Sequence, residues 1–231
     1  MLHHTDTGGD GSVLLFVHGV LMNESVWHKQ IAAFRDTHRI ITIDMAGFGN
    51  SEGTGDESFA DHARMIDEFL VHLEVDKVTF VGWSMGGAVG QVMGWIAPRR
   101  LRRLVLVDTT PQLVADKTFD QALPPEAVAE LADIFASDFA AGCDVFAIAC
   151  AGEDAEAAAL LAKAMKGTKP EIGLAALASG GAQTQLGILS KIVVETHVIH
   201  GTEDSVHIPG HPVACSSDIR SAVPEYPVTL R

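Results

Sequence analysis

Val78-Thr79-Phe80-Val81-Gly82-Trp83-Ser84-Met85-Gly86-Gly87-Ala88 is the stretch of sequence on which the fold turns. Its first four residues are apolar or β-branched, the composition of a strand buried on both faces. From Gly86 to Ile96 the apolar residues recur at helical spacing, so the chain passes from strand to helix within a few residues. That passage is Gly82-Trp83-Ser84-Met85-Gly86, a G-x-S-x-G pattern. A side chain displayed on so sharp a turn requires a strained backbone, and glycines on either side let strand and helix approach closely. Ser84 therefore stands at a strand end and a helix start, where the helix N-terminus favours negative charge.

Four further apolar runs, 13–17, 39–43, 104–107 and 196–199, read as buried strands, and a weaker one is expected at 228–230. Segments 26–34, 61–73 and 86–96 carry helical spacing between the first four strands. Strand and helix alternating in this way imply right-handed crossovers onto a parallel sheet, an α/β fold with helices on both faces. Between 107 and 196 the alternation stops for far longer than one helix requires. Helices are expected there at 127–139, opened by Pro124-Pro125, at 155–166 and at 170–178. No Ser/Gly-rich linker brackets this insertion, so 109–190 reads as a helical cap on a single domain, 1–231, whose core is about 1–108 and 191–231.

The 231 residues carry 16 Lys+Arg against 30 Asp+Glu, a formal charge of −14, with 47% apolar and 20% charged. A chain of this size buries roughly 70–75% of its unfolded surface, and the composition excludes disorder. Phosphate binding relies on Lys and Arg, so this acidity argues against nucleic acid and anionic membranes and favours a small-molecule partner. Cys143, Cys150 and Cys215 are too scattered for a disulfide framework or a Cys-x-x-Cys metal site. Cys143 and Cys150, seven residues apart on one helical face, read as packing residues. The first ten residues have neither a basic nor an apolar targeting segment, and no apolar run reaches the ~18 residues of a membrane span. The expectation is a soluble cytoplasmic protein whose N-terminal residues, including His3-His4, form a disordered leader.

A serine hydroxyl becomes a nucleophile only with a base, an acid to orient it, and donors for the oxyanion. Three further segments bear on this chemistry. Val17-His18-Gly19-Val20 follows the first strong strand; Val198-Ile199-His200-Gly201-Thr202-Glu203-Asp204 ends a later strand in a turn and a carboxylate; and Ile43-Asp44-Met45-Ala46-Gly47-Phe48-Gly49-Asn50-Ser51 has the form D-x-x-G-x-G-x-S. Together with G-x-S-x-G in its strand–turn–helix setting, these segments resemble the α/β-hydrolase superfamily of small, capped serine hydrolases, which includes carboxylesterases and cofactor-free haloperoxidase-like enzymes.

The resemblance implies a nucleophile, Ser84, with backbone N–H donors from Val20 and Met85 forming the oxyanion hole, and Asp204 as the acid. Asp108, at the end of 104–107, is the competing carboxylate. His18 is implied to bond loop backbone rather than act as base, and the segment from Asp44 to serve as architecture, with Asp44 bonding nearby amides. No metal and no cofactor is implied. Phe119, Phe135, Phe139 and Phe146 would form an apolar lid and read first as the core of the cap.

The resemblance also places a histidine after the last strand. One helix, one strand and two connections beyond Asp204 take about 24–30 residues, which puts it near 228–234. Segments 208–220, 224–227 and 228–230 fit the helix, a connection and the strand, yet the last histidine is His211 and the sequence ends at Arg231. His207 and His211 lie close enough to Asp204 in sequence to approach it, but reaching Ser84 would need a rewired loop. A truncated chain and a shortened homologue of low activity are both open, since an oxyanion hole and binding alone retain ~10³–10⁴ over water. The leading expectation is a hydrolase of carboxylic esters or related acyl substrates. The alternatives are a cofactor-free haloperoxidase or perhydrolase, a carbon–carbon bond hydrolase, and an impaired homologue that binds a ligand or partner. An uncovered sheet edge would favour a homo-oligomer.

Overall fold

The computed structural model describes residues 1–201, Asp204, and the backbone of Ala222 and Val223. Among the described residues there are seven strands: β1 (His4–Asp6), β2 (Val13–Val17), β3 (Arg39–Ile43), β4 (Val78–Trp83), β5 (Leu101–Val107), β6 (Thr196–Ile199) and β7 (Ala222–Val223). They form one sheet in the order β1-β3-β2-β4-β5-β6-β7. Every neighbouring pair is parallel except β1 with β3. The chain thus starts at one edge with β1, crosses to β2, turns back to β3 between them, and then proceeds from β4 to the other edge. Parallel strands present all their C-terminal ends on one side, which is where loops after β2, β4, β5 and β6 meet.

Alternation along the strands divides the sheet into two packed faces. Leu15, Val17, Ile41, Ile43, Val78 and Phe80 point into the larger core, shared with helices α2 (Phe59–His72) and α3 (Met85–Ile96). Phe16, Trp27 and Ile40 form a smaller cluster on the opposite face, backed by Ile31 of helix α1 (His28–Phe34). A 3₁₀ turn, Glu24–Trp27, leads into α1 and is capped by the Asn23 side chain. Ser58 and Asp61 close the start of α2 as a reciprocal capping box.

The expectation of a disordered leader is overturned. Residues 4–6 pair antiparallel with β3, and the Asp6 carboxylate holds Arg39 through its Nε and Nη2. His3 adds a backbone exchange, donating to Ser51 Oγ at 2.8 Å and accepting from the Asp44 amide at 2.9 Å. A three-residue strand has too short a pattern to announce itself; backbone pairing to an existing edge creates it. The expected strand at 228–230, the helix at 208–220 and the connection at 224–227 lie outside the described residues.

Five helices fill the stretch between β5 and β6: α4 (Pro125–Ser137), α5 (Phe139–Ala151), α6 (Ala155–Lys166), α7 (Pro170–Gly181) and α8 (Leu186–Leu189). The helix expected at 127–139 ends sooner, because Asp138 leaves helical conformation and caps α5 by accepting from the Ala141 amide. Phe135, Phe139 and Phe146 stack around one another with ring centroids 5.6 and 6.1 Å from Phe135. They are the centre of the helical insertion, and Cys143 is fully buried beside them. The insertion binds the strand-end loops: Thr168 Oγ1 donates to the Leu21 carbonyl (3.3 Å), and the Phe59 amide to Gln183 Oε1 (2.8 Å).

Phe135 is 1% exposed, and Phe→Ala truncation of such a residue costs about 3–5 kcal/mol. Urea unfolding of Phe135→Ala should therefore lose a stability in that range. A loss below about 1 kcal/mol would mean that the helices do not share one packed core with the sheet.

Candidate active site

Ser84 has φ 52° and ψ −116°, a conformation that non-glycine residues rarely adopt. The strain is held from several sides. The Ser84 amide donates to the Val107 carbonyl at 2.9 Å; the Ser84 carbonyl accepts from the Gly87 and Ala88 amides and from Thr109 Oγ1 at 2.7 Å. A Cβ on Gly82 would collide with the Gly86 carbonyl, one on Gly86 with the carbonyls of Val17 and His18, and one on Gly87 with the Thr109 side chain. The glycines around Ser84 thus mark zero clearance between backbone segments, the reason sequence reasoning gave for them.

The loop after β2 lies against this turn: a Cβ built on Gly19 would stand 3.4 Å from Ser84 Cβ. Among the described residues, the Val20 amide and that of Met85, first in its helix, donate to no acceptor. Leu21 is buried with φ 64°, a second strained non-glycine position. The loop is braced by the turn after β3. Asp44 accepts from the Glu24 amide (2.7 Å) and the Asn50 amide (2.8 Å), and its Oδ2 lies 3.0 Å from His3 Nδ1. Its carboxylate occupies the space that a Cβ on Gly49 would need. The architectural role expected of this segment is what it performs.

His18 is fully buried, with its Nδ1 2.8 Å from the Gly19 carbonyl and its Nε2 accepting from the Met45 amide at 3.0 Å. These partners select the neutral tautomer protonated on Nδ1. Burial pushes the imidazole down to about 4, against the opposing pull of the Gly19 carbonyl and Asp44.

On the far side of Ser84, two carboxylates converge. The expected acid, Asp204, and its competitor, Asp108, both face His200: Nε2 is 3.3 Å from Asp204 Oδ2, and Nδ1 is 3.9 Å from Asp108 Oδ1. The Gly201 amide donates to Asp108 Oδ1 at 2.8 Å, so Asp108 shapes the turn that delivers Asp204. Asp108 itself has φ 41°. Sequence reasoning treated the two carboxylates as alternatives and passed over His200, which reads as the end of an apolar strand. Its spacing of four from Asp204 was the available signal. Donor atoms of Asp108, His200 and Asp204 lie within 4.8 Å of one another, the one grouping of metal-ligand type among the described residues. His207, His211 and Cys215 lie outside the described residues.

The helical insertion reaches this edge. Burial pushes the Cys150 thiol up to about 12, and the Asp204 and Asp108 carboxylates add to it, which sets the last turn of α5 beside them. A thiol so shifted is no nucleophile at neutral pH. A cavity of about 310 Å³ opens between the 3₁₀ turn, α6 and the sheet, lined by Trp27, Trp83, Val107, Leu160, Leu161 and Glu156. Trp83 precedes Ser84, and Val107 bonds its amide, so this apolar space borders the turn. No helix of the described residues is long and apolar enough to cross a membrane.

A doubly flanked sheet, a helical insertion after β5 and a strained serine on the β4–α3 turn define a class of protein. Residues 12–151 match the family model of the alpha/beta hydrolase fold, and the chain belongs to that family. Pimeloyl-[acyl-carrier protein] methyl ester esterase of Photobacterium profundum is 30% identical over 133 residues, 58% of this chain and 50% of that one. The aligned stretch therefore spans about half the length of that curated relative. Among solved structures, a hydrolase from Oleispira antarctica superposes with a TM-score of 0.90 at 17% identity, covering 98% of this chain and 86% of the other. A hydrolase from Pseudomonas aeruginosa PA01 reaches 0.81 at 25% identity, covering 99% and 85%.

Because the buried His18 is held near 4 and an unfolded histidine titrates near 6.5, the unfolded chain binds the extra proton first. His18 therefore contributes stability above pH 6.5 that is lost as pH falls through 4, about 3 kcal/mol in all. Urea unfolding from pH 7.5 down to 4 should show this decline, and His18→Asn should flatten it.

Proposed function

We propose that this chain is a serine hydrolase acting on carboxylic esters of small molecules. The observation that carries the reading is the strained Ser84 backbone, braced against the Gly19–Val20 loop at the N-terminus of α3. Strain of this kind persists where function requires a side chain held at the tip of a turn.

In this reading Ser84 Oγ attacks the acyl carbon and loses its proton to an imidazole, and the carbonyl oxygen gains the negative charge. The amides of Val20 and Met85 receive that oxyanion, aided by the positive end of α3. The tetrahedral species collapses as the alcohol leaves with a proton, and water then releases the acid from Ser84. Asp204 orients the imidazolium, carried by a histidine after the last strand as the family resemblance implies; His207 and His211 could take that place only through a rewired loop. The cavity beside Trp27 and Trp83 takes an apolar portion of the substrate, since its lining offers mainly ring and aliphatic surface. The formal charge of −14 favours neutral or cationic esters over polyanionic ones. A pimeloyl-[acyl-carrier protein] methyl ester esterase among the relatives is consistent with an ester substrate.

A fluorophosphonate probe should label the wild type at Ser84, and p-nitrophenyl acetate should be hydrolysed. Ser84→Ala should abolish both, while Asp204→Asn should lower kcat by roughly 10³–10⁴ with little change in KM, as expected when an imidazole loses its orienting acid. Folded wild type that is neither labelled nor active would overturn the reading.

A further inference from the structure

Ser84, Asp108 and His200 each follow the last residue of a strand, and the three strands are in register. Trp83 pairs with Val107 and Val107 with Ile199. The ladder continues one step further: the Ser84 amide donates to the Val107 carbonyl at 2.9 Å, and the Asp108 amide to the Ile199 carbonyl at 2.8 Å. With neighbouring strands about 4.8 Å apart, the His200 backbone stands roughly 10 Å from that of Ser84, with Asp108 between them. The His200 ring meets a carboxylate at each nitrogen: Nε2 lies 3.3 Å from Asp204 Oδ2, and Nδ1 lies 3.9 Å from Asp108 Oδ1. Both nitrogens are therefore directed at acids, and His200 is not placed to serve Ser84 as its base.

What the ring can do from this position is hold an acid. Its side chain is 5% exposed, so protein groups rather than bulk water must satisfy it, and carboxylates are what face it. Asp108 is fixed by a further bond, from the Gly201 amide at 2.8 Å, and gives the ring a stationary backing. Asp204 is fixed through its backbone, its amide donating to the Gly201 carbonyl at 3.3 Å, which leaves the direction of its carboxylate to side-chain contacts. Donor atoms of the three side chains lie within 4.8 Å of one another. Two carboxylates that close repel, and a ring N–H between them offsets the repulsion and sets their separation. A carboxylate is planar with two accepting oxygens, so a contact that holds Oδ2 also decides where Oδ1 points.

We propose that His200 is the positioning residue of the acid: its Nε2–H holds Asp204 Oδ2 and thereby turns Oδ1 toward the imidazole that serves Ser84. This rests on the reading of Asp204 as the acid of a serine hydrolase. His200 touches neither substrate nor reacting atoms and acts through Asp204. Asp108 is then the backing of the ring.

The two ring nitrogens can be tested apart. In His200→Gln the side-chain amide reaches the Nε2 position and keeps a donor for Asp204; in His200→Asn it stands at the Nδ1 position and keeps the Asp108 side alone. With p-nitrophenyl acetate, His200→Asn should lower kcat about 10–100-fold with KM within about threefold, the size of one hydrogen bond to a charged group, and His200→Gln should stay within about fivefold of wild type. Because the effect runs through Asp204, His200→Asn should add less than about twofold in an Asp204→Asn background, read as the rate at which a fluorophosphonate labels Ser84. An unaffected His200→Asn, equal losses in the two variants, losses confined to KM, or a fully multiplicative loss in the double variant would overturn the proposal.

Measurement on the unaltered protein covers the case in which neither variant folds. Long-range ¹⁵N–¹H spectra of wild type should show a proton on His200 Nε2, and a ring protonated on Nδ1 alone would overturn the proposal. Folded variants also give a readout independent of turnover: the carboxyl ¹³C signal of Asp204 should move in His200→Asn and stay near wild type in His200→Gln. A wild type that is not labelled and hydrolyses no ester would defeat the hydrolase reading, and the Asp204 signal would still decide whether His200 holds that carboxylate.

Discussion

Ser84 sits where a residue with a side chain resists sitting, and the arrangement of the strand-end edge follows from holding it there. A non-glycine residue at positive φ is disfavoured by contact of Cβ with its own backbone, at about 1–3 kcal/mol. Here the strain is sustained by hydrogen bonds from β5 and from the first turn of α3, and by glycines that let β4, α3 and the end of β2 meet without side chains between them. Because Val107 bonds the Ser84 amide and Thr109 its carbonyl, the residue between them, Asp108, is placed by the same contacts that strain the serine. Asp108 in turn bonds the Gly201 amide and shapes the turn toward Asp204. One strained peptide thus sets the spacing of three strand ends.

The other half of the site depends on buried polar groups rather than on strain. His18 and Asp44 are fully buried, and they bond mainly to backbone amides and carbonyls of two loops. Buried polar groups that are fully paired rigidify their surroundings, because breaking any one bond leaves another group desolvated and unpaired. That rigidity fixes the backbone of both loops. It also makes the loop sensitive to acid, since a buried neutral histidine that accepts a hydrogen bond has no favourable charged form. The insertion adds a third constraint, closing over the strand ends with a packed aromatic centre and an unreactive thiol beside the acids.

Much of the fold was legible because parallel strands buried on both faces write themselves as unbroken apolar runs. β2, β3 and β6 match their expected limits to the residue, as does α6, whose Ala, Leu, Lys and Glu composition is strongly helical. β1 was not legible: Thr and Asp beside a histidine carry no strand signal until β3 offers an edge. The boundary between α4 and α5 was not legible either. Asp138 interrupts an otherwise continuous helical pattern, and only its cap to Ala141 distinguishes two helices from one. In the sequence, Ser84, His18 and Asp44 stood out by the glycine-containing motifs that carry the family resemblance, whereas His200 stood at the end of a strand whose other residues are ordinary core.

The sequence by itself determined the alternation of strand and helix, the place of the serine turn, and the residue types at each strand end. These are local properties, set by side-chain periodicity and by the few residues that tolerate tight backbone approach. Tertiary structure alone decided which strand ends become neighbours, and so that Asp108 and Asp204 both face His200. It decided also that His18 bonds Gly19 on one side and Met45 on the other, 27 residues away in sequence. The reason is that strand order and loop contacts are set by which faces can be buried together, a property of the assembled sheet that no single segment carries.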